Sequence, residues 1–270
     1  PMLAQIQDDR ILRHIHKSTV RDRVVHQALF QVLYQIFDRS FISDSYSCRI
    51  GKGTHRAVTR LEQFYRKASD NNRRNTFALK CDVKRFFDSV DHQILIRLLE
   101  KKMDNSQTLW LVQTVLGSFC KEPGKGLPLG NVTSQLFANV YLNELDQFLK
   151  HRLKQRFYLR YCDDFVILMD KREDANCVIA AINEFLSECL KLSLHPNKLI
   201  LHTYRQGIDF LGYVVRPYCR TLRTKTRKRT LRNISKGVSE SSLQSYLGVL
   251  KHCNGYGIVK EIHRIHSDAD

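Results

Sequence analysis

Hydrophobic positions along this chain follow two rhythms, one of about four residues and one of two, and their alternation predicts helices mixed with short strands. From Val20 to about Phe37, the residues Val24, Ala28, Val32 and Ile36 recur at helical spacing and are expected to face a core. A strand is expected near 10–17, and a second helix follows the Gly51-Lys-Gly53 turn to about Lys67. The polar run from Ser69 to Asn75 predicts a loop. Phe77, Leu79, Cys81 and Val83 then alternate with Lys80 and Asp82, the pattern of a half-buried strand. Further helices are expected near 91–103, 107–119, 131–153 and 173–191. The third carries Leu136, Phe137, Val140 and Tyr141, and the last a stripe of Val178, Ala181, Phe185 and Cys189 read as core packing. Near the end, Ser239 caps a helix with Leu243, Tyr246, Leu247 and Leu250 on one face. The predicted fold class is α+β.

Two apolar runs between Tyr158 and Leu168 meet at adjacent carboxylates, Asp163 and Asp164. Neighbouring anions at a turn repel each other unless a cation lies close, so the pair is a candidate Mg²⁺ site. A solvated turn is the plainer reading of an Asp-Asp dipeptide. Asp82 stands on the polar face at the end of its strand. Magnesium takes oxygen ligands in octahedral geometry, and two-metal phosphoryl transfer gathers carboxylates from separate segments. Asp82 and Asp163 supply that minimum. Between them, the glycine-rich stretch from Gly124 to Gln135 leads into a helix, a loop that lets backbone approach a nucleotide or template.

With these residues in place, the chain resembles bacterial reverse transcriptases related to group II intron enzymes and diversity-generating retroelements. The resemblance rests on blocks in a fixed order: Arg13-x-Ile15 with Arg21–Leu29, then Asp44–His55, Asp82–His92, Gly126–Gln135, Tyr161-x-Asp-Asp164, Leu194–Lys198 and Gly207–Val215. It implies a right-hand polymerase, with an antiparallel palm sheet carrying the Tyr-x-Asp-Asp hairpin. The expected domains are fingers at 1–76, short or incomplete at the N-terminal side, palm at 77–215, and a basic linker with helical thumb at 216–270. The implied reaction is addition of deoxynucleotides to a DNA or RNA primer on an RNA template. Asp82, Asp163, Asp164 and the Val83 carbonyl would hold two Mg²⁺ ions, with Mn²⁺ as substitute. Arg13 and Lys198 are expected at the triphosphate, Phe87 under the incoming sugar, and Leu129 and Gly130 beside the nucleotide. Arg49, Lys52, Gly53, Tyr161, Cys162 and the primer-grip-like Phe210, Leu211 and Gly212 are expected along template and primer. The loop departs from the Gln-Gly-x-x-x-Ser-Pro of group II enzymes: it has Leu129 for Gln and Gln135 for Pro. That departure resembles the diversity-generating subgroup, associated with errors at template adenines and a small basic accessory protein.

Composition agrees on the partner. Lys and Arg number 44 against 27 Asp and Glu, a net charge of +17 that favours polyanions. From Arg216 to Lys236 there is no acidic residue, and Arg227, Lys228 and Arg229 in this run are expected to contact phosphates. Hydrophobic residues make up 43% of the 270, enough for a proper core. No apolar run is long enough for a membrane span, and the first residues lack the form of a secretion signal, so the cytoplasm is the expected location. The eight cysteines lack a Cys-x-x-Cys pair, which favours free thiols over zinc. Three alternatives stay open: an RNA-binding maturase, disfavoured by the lack of sequence after the expected thumb for a splicing or DNA-binding domain; an RNA-dependent RNA polymerase, disfavoured by Phe87; and a defence-associated enzyme.

Overall fold

The computed structural model describes residues 2–8 and 11–267, with side-chain surroundings for 18–265. In chain order the strands and helices begin with β1 (Met2–Asp8), β2 (Ile11–Lys17), α1 (Val20–Phe37) and α2 (Thr54–Ala68). There follow β3 (Phe77–Asp82), α3 (Phe86–Ser89), α4 (His92–Glu100), α5 (Ser106–Gly117), α6 (Val132–Gln147), β4 (Tyr158–Tyr161), β5 (Asp164–Met169) and α7 (Asp174–Leu190). The chain ends with β6 (Ile200–Thr203), β7 (Ile208–Phe210), β8 (Tyr213–Arg216), β9 (Cys219–Leu222), α8 (Thr224–Ile234), α9 (Glu240–Leu250) and α10 (Tyr256–Ser267). The hairpin β1-β2 stands as its own sheet, β4-β5-β3-β6 form a second in that order, and β7-β8-β9 a third. No helix among the described residues is long and apolar enough to cross a membrane.

Two compact units result. One comprises the residues to Gly53, Lys80–Ile167 and Glu173–Ile200; the other comprises Thr54–Leu79, Leu168–Arg172 and the residues from Leu201 onwards. Within the second unit α2 packs on β8.

In the first unit α6 is the central element, buried on almost every side and packed against α1 and α4. Burial all round forces its polar residues to find partners. Thr133 takes the His26 ring of α1 at 2.8 Å, and Asn139 donates to the Ser47 carbonyl at 2.9 Å. Asp146, fully buried, receives Arg160 of β4 through Nε at 2.8 Å and Nη2 at 2.6 Å, and the Tyr158 hydroxyl at 2.6 Å. The remaining Arg160 N–H groups reach Asn139, Ser45 and the Cys162 carbonyl at 3.0–3.3 Å, so every guanidinium donor is satisfied.

The α1 helix has the expected bounds but presents a different face. His26, Leu29, Leu33 and Phe37 are buried, whereas Val24 is 65% and Val32 55% exposed. A strict four-residue repeat drifts by about 40° per step on a helix of 3.6 residues per turn, so Val20 to Ile36 wind off any one face. Mixed three- and four-residue steps keep the buried set aligned. On α7 the buried stripe is Ala175, Val178, Ile182, Leu186 and Leu190, with Cys189 exposed and Phe185 stacked on Phe148 at 4.2 Å.

In the second unit Arg220 of β9 joins Glu62 and Thr59 of α2 to the His252 carbonyl. His55 stacks on His252 at 3.6 Å, and Tyr65 on Tyr204 at 3.8 Å. The β7-β8 hairpin closes through a two-residue turn, Leu211 and Gly212, both at positive φ.

Breaking the Asp146–Arg160 pair on one side should be severe. Asp146→Ala is expected to cost about 3–5 kcal/mol by leaving a buried guanidinium uncompensated, and the double replacement Asp146→Leu/Arg160→Met considerably less. Urea unfolding of both variants checks this; equal losses would show that the uncompensated charge is not what matters.

Candidate active site

The geometry begins with a tight turn. Tyr161 and Asp164 pair across the β4-β5 hairpin, leaving Cys162 and Asp163 as its tip. Cys162 adopts φ +55°, a left-handed conformation that costs a non-glycine residue energy and needs support. Arg160 supplies support by donating to the Cys162 carbonyl at 3.0 Å, and Val83 by donating its N–H to the Asp163 carbonyl at 3.2 Å. The tip is thereby held beside the end of β3, where Asp82 stands.

Asp82, Asp163 and Asp164 repel one another in a largely buried setting. Burial, first, and then the Asp82 charge raise the Asp163 carboxyl above its ordinary range. Burial pushes Asp164 up to about 6, against the pull of Lys80, and Asp82 and Asp163 add to the rise. One oxygen of Asp164, Oδ1, is buried without a hydrogen-bond partner, while Oδ2 takes the Lys80 ammonium at 3.2 Å. Lys198 Nζ lies 3.0 and 2.9 Å from the two oxygens of Asp82. Among the described residues no three acidic, His or Cys side chains converge as a ready ligand cluster. The chemistry of the donor set still suits a hard divalent cation: oxygens only, an excess of negative charge, and one oxygen with nothing to bind.

Other residues singled out in the sequence are distributed as follows. Phe86 is buried against Tyr141, leaving its neighbour Phe87 half-exposed. The loop before Leu129 is strapped to the same segment, since Leu127 N–H donates to the Phe87 carbonyl at 2.7 Å and Gly126 N–H to Val90 at 2.9 Å. Leu129 is half-buried and Gly130 exposed. Gly126 is needed for close packing in its own loop, where a Cβ would meet the Lys121 backbone nitrogen at 3.1 Å. Lys198 sits on Asp82 rather than reaching outward. The Arg13 side chain lies outside the described residues.

Several basic residues expected on template or primer are engaged within the protein. Arg49 pairs with Asp38 at 2.6 Å and donates to the Ile42 and Ser45 carbonyls, so its guanidinium builds the loop ahead of Gly53. Lys52 donates to the Ser43 carbonyl and lies over the Tyr46 ring. Arg220 and Arg223 of the basic run are tied to Glu62 and Asp209. Arg227, Lys228 and Arg229 are exposed on α8, Arg227 pairing with Glu261 at 3.0 Å. Phe210 is fully buried, while the Leu211-Gly212 turn after it is half-exposed. Lys80, Asp146 and Arg160 were not assigned roles by sequence reasoning. A charged residue inside an apolar strand, as Arg160 is, signals a buried partner, although not which one.

Comparison with known proteins gives a consistent picture. The family described as Reverse transcriptase (RNA-dependent DNA polymerase) matches residues 8–215. Protein YkfC of Escherichia coli (strain K12) is 24% identical over 83% of this chain and 67% of its own length. The group II intron-encoded protein LtrA of Lactococcus lactis subsp. cremoris is 23% identical over 78% of this chain, which spans only 45% of that relative. Among solved structures, apo telomerase from Candida tropicalis, truncated from its C-terminal domain, shares the fold at a TM-score of 0.61. That match is 15% identical and covers 82% of this chain and 54% of the telomerase chain.

Because its folded pKa of about 6 lies above the ordinary 3.8, Asp164 favours the folded state most below pH 4, and this contribution is lost as pH rises through 6. Asp164→Asn is therefore expected to remove about 1–2 kcal/mol of the stability loss between pH 5 and 7.5. Unfolding free energies of both proteins across that range test it; superimposable pH profiles would contradict the assigned strain.

Proposed function

Since the chain belongs to the reverse transcriptase (RNA-dependent DNA polymerase) family, we propose that it adds deoxynucleotides to a primer 3′ end along an RNA template, with Asp82, Asp163 and Asp164 as the reacting centre. The observation that carries this reading is that burial and acidic neighbours hold both Asp163 and Asp164 above the ordinary carboxylate range, with one oxygen of Asp164 left unbonded. Packing alone gives no reason to bring such groups together. Asp82 and Asp163 would hold two Mg²⁺ ions, or Mn²⁺ in their place, with Asp164 in support and the Val83 carbonyl as a further donor. When bound, the ions would acidify the 3′-hydroxyl and stabilise the pyrophosphate leaving group. Residues 1–76, 77–215 and 216–270 take the roles of fingers, palm and thumb, with Arg13 and Lys198 serving the triphosphate.

Phe87 fits a steric gate, because its neighbour Phe86 takes the core position and leaves this ring half-exposed. The backbone bond from Leu127 to Phe87 joins the gate to the loop carrying Leu129, so sugar and base are judged by one strapped unit. The exposed Arg227, Lys228 and Arg229 offer phosphate contacts, whereas Arg49, Arg220 and Arg223 act through the protein's own loops. Leu129 in place of Gln favours the diversity-generating subgroup, with errors at template adenines. Its small basic accessory protein would meet a chain of charge +17 on shared RNA rather than by direct attraction. Group II intron-type activity, including maturase function, is the second reading. It is favoured by relatives with such names, among them Nuclear intron maturase 1, mitochondrial, of Arabidopsis thaliana.

Primer extension on a defined RNA template tests the assignment, with Asp163→Asn as control. Extension by the wild type and a loss beyond about a hundredfold in the variant are expected; substantial Mg²⁺-dependent activity in Asp163→Asn would sink it. An inactive wild type that still promotes intron splicing would favour the maturase reading.

Phe87→Val should admit ribonucleotides, lowering sugar discrimination at least about tenfold, equivalent to about 1.4 kcal/mol. Unchanged discrimination in a folded variant refutes the gate.

Leu129 offers contact but no hydrogen bond, so correct and incorrect pairs are separated by less energy than with Gln. Leu129→Gln is expected to lower misincorporation opposite adenine. Sequencing complementary DNA made by both proteins decides; equal error spectra remove the support for the subgroup.

A further inference from the structure

Two lysines pair with two of the three carboxylates, and they differ in kind. Lys80 is 15% exposed and holds one oxygen of Asp164, whose other oxygen is left without a partner. Lys198 is 55% exposed and occupies both oxygens of Asp82. With Lys80 in place Asp164 still keeps one oxygen unclaimed, whereas both oxygens of Asp82 are held by the Lys198 ammonium.

We propose that Lys198 is an exchangeable counter-ion of Asp82, which leaves as a divalent ion enters, while Lys80 stays on Asp164. The proposal rests on the two-metal reading given above. Backbone geometry fixes the root of the side chain: Leu194 bridges Val83, His195 N–H donates to the Asp82 carbonyl at 2.8 Å, and Lys198 N–H closes a short turn on the His195 carbonyl at 3.1 Å. The ammonium is thus presented to Asp82 without any rearrangement of the strand. Its flexible four-carbon stem lets it depart without moving that backbone.

The energetics favour exchange in this direction. An ion pair with a half-exposed partner is worth little, because water replaces the lost contact. A doubly charged ion on the same oxygens gains more than a single ammonium. Without metal, Lys198 offsets the mutual repulsion of the carboxylates. With metal, the same ammonium is released beside the site and becomes available to an incoming anion. Metal loading would then turn a self-neutralised site into one that accepts a negatively charged substrate.

Amine acetylation read by mass spectrometry tests this on the whole protein without nucleic acid. At matched ionic strength, saturating Mg²⁺ is expected to accelerate modification of Lys198 at least about threefold and leave Lys80 unchanged. In Asp82→Asn, Lys198 should react fast with or without Mg²⁺. Lys198→Gln should bind Mn²⁺ about fivefold tighter, measured from the electron paramagnetic resonance signal of the free ion. Lys198 reactivity that does not change while Mn²⁺ binds, a joint rise at Lys80 and Lys198, or unaltered Mn²⁺ affinity in Lys198→Gln would overturn the exchange. A wild type that binds no Mn²⁺ would overturn the two-metal reading itself, whereas failed primer extension with normal Mn²⁺ exchange would count against polymerisation alone.

Discussion

A guanidinium shut away from water persists only if each of its N–H groups finds an acceptor, and the first unit is arranged around meeting that demand for Arg160. Asp146 and Asn139 come from the all-round-buried α6, Ser45 from the loop after α1, and the Cys162 carbonyl from the hairpin tip. The backbone repeats the link, with Arg160 bonded to Asp44 and Tyr46 on either side of Ser45. Replacing the pair with apolar groups could serve stability as well. What apolar groups could not do is donate to the Cys162 carbonyl, and that bond holds a left-handed residue one position before Asp163.

Charges a few residues apart are thus treated in opposite ways. Arg160 is buried and fully bonded; Asp164 is half-buried, with one buried oxygen left unbonded. The hairpin concentrates strain where the carboxylates meet and draws rigidity from the guanidinium behind it. Lys80 and Lys198 temper the repulsion without abolishing it, since Asp163 and Asp164 remain harder to ionise than ordinary carboxylates. Stability and chemistry pull apart here, as expected where a site is prepared for a ligand.

The sequence was most readable where local pattern and local structure coincide. The alternation from Phe77 to Val83, the carboxylates at a hairpin, and the helices after Asn131 and Ser239 are all set by near neighbours. Reading failed where a residue's partner lies far along the chain. The Val20–Ile36 repeat looked like a core face, but the true face was chosen by α6, more than a hundred residues away. The partners of Arg49, Arg220 and Arg223, namely Asp38, Glu62 and Asp209, were likewise not legible, since each is separated from its arginine in sequence. The strand β1 and its hairpin with β2 were only half anticipated, since β1 begins the chain with little periodicity to mark it.

The misread face of α1 has a practical corollary. Val20, Val24, Val32 and Ile36 are exposed aliphatic side chains winding around the outer side of α1, on a chain carrying +17 charges. At low ionic strength, long-range repulsion between like-charged molecules keeps such side chains apart, whereas at about 1 M salt the screening length shrinks to about 3 Å. The apolar side chains are then unopposed, and salting-out strengthens their attraction. Salt strips polyanions from a basic protein and removes its colloidal protection in the same step. For a chain of this charge, solubility is therefore expected to fall under the same high-salt conditions that would release a polyanion.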